Sequence, residues 1–69
     1  MDAKEALRAF LDDPDPVALA DLAQELEEWP PAGRLVQLAG RAVYLEDERL
    51  AQLLDEAVRE ARRLLEAGA

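Results

Sequence analysis

The chain has 69 residues, a formal net charge of −8, and no Ser, Thr, Asn, Ile, His or Cys. Their absence removes disulfides, thiol and hydroxyl nucleophiles, and the usual zinc ligands. Nucleic acid is also disfavoured: phosphate binding needs clustered bases, but Lys4 is the only lysine and the arginines alternate with carboxylates.

What remains is mostly Ala, Leu, Glu, Arg and Asp, the strong helix formers plus one good N-cap residue. The expected fold class is all-α, a small four-helix bundle built from two antiparallel helical hairpins. At this size one thin core must carry the stability of a single domain.

The first helix is expected over about 3–11. Asp2 is its N-cap, and Glu5 stands where a capping box needs it. Ala6, Leu7, Phe10 and Leu11 fall on one face. Asp12-Asp13-Pro14-Asp15-Pro16 then ends the helix, because a residue before proline is pushed out of the α region.

The second helix is expected over 15–29, with Asp15 as cap and Pro16 at the first helical position. Leu19, Leu22, Ala23 and Leu26 form its buried stripe, facing away from Asp21, Gln24, Glu25 and Glu28. Val17 points away from the stripe, as a first-turn contact or an exposed residue. Trp29 extends the stripe's edge and is expected to be largely buried, held by Pro30-Pro31.

A third helix is expected over 31–45. Its apolar arc runs from Leu35 to Leu45 and covers about half the circumference, which predicts two packing partners. Gly40 costs about 1 kcal/mol relative to Ala at mid-helix, so a close backbone approach is expected there. Glu46-Asp47-Glu48 marks a break, with Asp47 as cap; one continuous rod is the alternative. The fourth helix, over 47–67, buries Leu50, Leu53, Leu54, Ala57, Ala61, Leu64 and Leu65. Its charges pair as Asp55–Arg59, Arg62–Glu66 and Glu60–Arg63, and Gly68 is a natural terminator. Across these helices the expected core is Leu7, Phe10, Leu22, Leu26, Leu35, Leu38, Ala42, Leu53, Ala57 and Leu64.

Two resemblances follow from these residues. The stretch Leu7, Phe10-Leu11, Asp12-Asp13-Pro14-Asp15-Pro16-Val17, Ala20 and Ala23 resembles one HEAT-type helical hairpin. That likeness covers under a third of the chain and implies a solenoid unit with a binding face. The whole chain resembles a de novo designed helical bundle in its restricted alphabet, capped helices, Asp-Pro helix start and terminal Gly. A natural protein of GC-rich origin is the other source of such a composition.

Chemistry is sparse. Lys4 and Tyr44 are the remaining nucleophile candidates besides carboxylates, and Lys4 lies in an exposed first turn beside acids. The run Asp12-Asp13-Pro14-Asp15 lacks EF-hand spacing and its central glycine. No catalytic residue, cofactor or metal is expected.

The leading expectation is a non-catalytic scaffold, most simply a designed one without natural activity. The second is a protein-binding module. It would use Val36, Arg41, Val43 and Tyr44 on the third helix, or the acidic N-terminal half, where residues 1–31 carry nine acids against Lys4 and Arg8. The hot-spot residue types Tyr and Arg motivate the first of these surfaces. A metal- or small-molecule-binding bundle is a remote third. No run of about 18 apolar residues and no basic-then-apolar leader is present, so no membrane partner and a cytoplasmic or recombinant setting are expected. The chain is expected to be a monomer or a homo-oligomer.

Overall fold

In the computed structural model, which describes residues 2–68, four α-helices and no strand are present among the described residues. They are α1 (Ala3–Asp12), α2 (Pro16–Glu25), α3 (Gly33–Ala42) and α4 (Asp47–Glu66), with a short 3₁₀ turn over Pro30–Ala32. The fold is an all-α bundle.

Local chemistry accounts for most boundaries. The Asp2 carboxylate accepts from the Glu5 N–H at 2.9 Å, and Asp15 accepts from the Ala18 N–H at 2.7 Å. Each satisfies one orphan donor of a helix start. Asp13 and Asp15, both preceding prolines, leave the helical region, at ψ 77° and 169°, and Asp15 is fully extended.

Two helices are shorter than their sequence implies. α2 stops at Glu25 instead of 29, and Leu26–Glu28 form a turn. Pro30 holds Trp29 extended at φ −103°, ψ 104°, so the chain must leave the helix before reaching it. α3 starts at Gly33, after the proline-led 3₁₀ turn, and ends at Ala42 rather than 45. There the N–H groups of Tyr44 and Leu45 bond the carbonyls of Arg41 and Ala42, at 3.0 and 3.3 Å. These three-residue bonds tighten the last turn and separate α3 from α4, as the Glu46-Asp47-Glu48 boundary predicts.

Asp47 does not cap α4. It is the first helical residue and takes a positive φ of 50°, while Glu46 is the cap residue and makes no side-chain bond. The sharp turn out of α3 requires that left-handed backbone, which Asp tolerates better than most side chains. Gly68, at φ 87°, terminates α4 as its composition predicts.

The main packing contacts join α1 to α2, α2 to α3, α3 to α4, and α4 back to α1. α3 thus has the two partners its wide apolar arc requires. α4, at 20 residues, is about 30 Å long and sets the longest dimension of 32 Å. The core is lined by Leu7 and Phe10 from α1, Leu19, Leu22 and Leu26 from around α2, Leu35 and Leu38 from α3, and Leu53, Ala57, Ala61 and Leu64 from α4.

Ala42 is only half-buried, because α3 ends at it. Trp29 is half-buried too, packed against the core from the extended segment. Since α2 has already ended, the indole covers the core instead of filling it. Gly40 has no neighbour within 4 Å of where a Cβ would stand, so no close backbone approach explains it.

Candidate functional site

The end of α3 concentrates the exposed apolar surface. Leu45 is half-buried and packs against the core, so the chain between Ala42 and Leu45 is forced outward as a turn. That turn presents Val43 at 79% and Tyr44 at 86% of full exposure. Arg41, also exposed, precedes them by less than one helical turn. Val36 lies seven residues before Val43 on the same helical row and is half-buried. The structure exposes Arg41, Val43 and Tyr44 within four consecutive residues, leaves Val36 half-buried, and places Arg41 in the depression toward α4. Tyr44 sits beyond the helix rather than on its polar face.

Several neighbours come from α4, of which Arg49, Gln52 and Glu56 carry no motif in the sequence. Arg41 and Leu45 line a depression of about 250 Å³ together with Arg49, Gln52, Leu53 and Glu56. Farther along the same α3/α4 boundary, Arg34, Glu56, Arg59, Glu60 and Arg63 line a second one. The signal for the α4 side is the three-to-four-residue spacing of Arg49, Gln52, Glu56, Arg59 and Arg63, which places them on one helix face.

Charge pairing along this boundary is selective. The Arg63 guanidinium donates to both carboxylate oxygens of Glu60, Nε at 3.0 Å and Nη2 at 2.5 Å. Arg34 approaches Glu56 at 3.8 Å. Asp55–Arg59 and Arg62–Glu66 do not close to ion-pair distance among the described residues.

Glu60 is buried, although the sequence reads as a surface pair at this point. Its side chain is 10% exposed against 60% for Arg63. The spacing Leu53–Ala57–Glu60–Leu64 shows why: Glu60 occupies a place in the apolar stripe itself. The hydrogen bonds from Arg63 hold its carboxyl below the usual 4.5, outweighing the opposite pull of burial, and Arg34 adds to the lowering. A carboxylate kept charged in this way supplies fixed negative charge; a general acid needs the opposite shift.

Elsewhere, Asp12, Asp13 and Asp15 do not gather into a group of three metal-ligating side chains among the described residues. No helix there is long and apolar enough to cross a membrane. An apolar-floored groove lies between α1 and α2, with Ala6, Ala9, Phe10 and Ala18 inside and Asp21, Gln24 and Glu25 at its edge. Val17, beside it on α2, is 71% exposed, which resolves the open reading of that residue.

No family model, curated protein or solved structure matches the chain.

Proposed function

We propose that the protein is a non-catalytic helical scaffold that acts as a protein-binding module through the end of α3. The observation that carries this reading is the pair Val43 and Tyr44, side by side and 79% and 86% exposed, next to Arg41. Neither side chain supports the core, and exposed apolar patches on small proteins mark interaction sites. Tyr and Arg are the types that dominate binding hot spots. A designed origin is supported by the helix-forming alphabet and the aspartate-capped helix starts.

The test separates binding from folding. The double variant Val43→Ser, Tyr44→Ser is expected to unfold within about 0.5 kcal/mol of the parent, as surface changes do. A loss above about 1 kcal/mol would make the pair structural and refute the reading. Proteins retained by the immobilised chain are then compared with those retained by the variant. Support requires a partner that soluble chain displaces and whose retention falls at least about tenfold with the variant. Equal retention on both surfaces refutes it.

A further inference from the structure

Five of the seven arginines, Arg34, Arg41, Arg49, Arg59 and Arg63, line the two depressions along the α3/α4 boundary. Among the described residues Glu56 and Glu60 are the only acids lining them, so that lining carries +3. The chain as a whole is at −8, which leaves −11 on everything else. The first depression is mainly polar, with Leu45 and Leu53 as its two apolar lining residues. An arginine-lined groove with a small apolar patch is complementary in charge to an acidic helix that carries one small apolar side chain.

This chain presents such a helix. The exposed face of α2 has Val17 at 71% exposure, followed at helical spacing by Asp21, Gln24 and Glu25. Nothing in the bundle covers that valine. Because the helices pack in the ring α1–α2–α3–α4, the α1/α2 side and the α3/α4 side face in opposite directions. One molecule therefore cannot join its own two surfaces, but two molecules can. We infer that a second copy of this chain is the occupant of the α3/α4 groove, seated through the Val17–Asp21–Glu25 face of its α2. The contact is head-to-tail, so it leaves one groove and one acidic face open for further copies. Arg41 also belongs to the binding surface proposed above, but the groove stands without Val43 and Tyr44.

The net charge of −8 on each copy opposes association at long range. Near 0.1 M salt this repulsion is screened beyond about 10 Å, while pairs at contact survive. Near 1 M, with a screening length of about 3 Å, the contact pairs weaken as well. Association is therefore strongest at intermediate salt.

Sedimentation of the full chain tests this. Between about 0.05 and about 1 mM protein, near 0.1 M salt, the average mass is expected to rise above the 7.6 kDa of one chain. It is expected to return toward 7.6 kDa near 1 M salt. The groove variant Arg41→Glu, Arg59→Glu and the α2 variant Asp21→Lys, Glu25→Lys should each abolish the rise, with helicity retained because all four positions are exposed. The α2 variant brings the chain from −8 to −4, so general repulsion falls and only a lost contact explains lost association. Mixing the two variants should restore the rise, since each complements the other. The Val43→Ser, Tyr44→Ser variant should associate as the parent does, which separates this inference from the function proposed above. A mass that stays at one chain under every condition overturns the inference. So does association that survives the α2 variant, or a mixture of the two variants that remains monomeric.

Discussion

Glu60 sets the sharpest expectation at the scale of single residues. Its folded carboxyl titrates below 4.5 because Arg63 binds the charged form. A lowered folded value means that the contribution to stability is complete above 4.5 and is lost as pH falls through the folded value. Urea unfolding at pH 7 and near pH 3 should show a larger acid-induced loss for the parent than for Glu60→Gln, which has no proton to take up there. Equal losses would mean that the pair is no stronger in the folded chain than in the unfolded one. Gly40 gives a second expectation, opposite in sign. It is exposed in α3 with open space around it, so Gly40→Ala should raise stability by about 0.5–1 kcal/mol, read as a higher urea midpoint. Before the helices are placed, a glycine held for a close contact and one held for nothing look the same.

Among the elements, α1 and α2 show how far short-range chemistry reaches. Each has 10 residues, which is marginal for an isolated helix, so its start depends on the cap. Asp15→Ala should cost about 1 kcal/mol by leaving the Ala18 N–H without its acceptor. Asp47→Gly, which suits the left-handed backbone at that position, should show no such capping loss, since Asp47 makes no cap bond. Thermal melts of the two variants compare them directly, and an equal drop would contradict the assignment of α4's start. Both aspartates precede a helix-forming run in the sequence. What distinguishes them is Pro16, which holds Asp15 extended, whereas the turn out of α3 drives Asp47 to positive φ. α2 and α3 end short of their apolar stripes for a related reason. The apolar stripe continues to Trp29 and to Leu45, but a buried side chain at the end of a stripe does not need a helical backbone.

For the molecule as a whole, charge is divided unevenly around the ring of helices. Residues 1–31 hold nine acids against two bases, and their mutual repulsion opposes the compact state. Raising salt from low ionic strength to about 0.1 M should therefore raise the melting temperature of dilute protein, where copies do not meet. A fall on adding salt would show that ion pairs such as Glu60–Arg63 outweigh the repulsion. The same division gives the α3/α4 boundary its arginine lining, although the α3–α4 half is itself slightly acidic when counted along the chain.

Helical periodicity, proline position and aspartate caps are properties of neighbours within about four residues, so the sequence by itself determined the all-α class, the helix order, the break before Asp47 and nine of the ten expected core positions. It left the exposure of Val43 open, because that residue falls within the apolar arc of α3, and the early end of α3 decided it. The tertiary structure alone decided that Glu60 is enclosed, that Trp29 covers the core from its edge, and that arginines from two helices face one another across a groove. These outcomes depend on which helix lies beside which and how far each extends. Burial and electrostatics are set by those neighbours through space, and positions far apart along the chain carry no record of their separation until the helices pack.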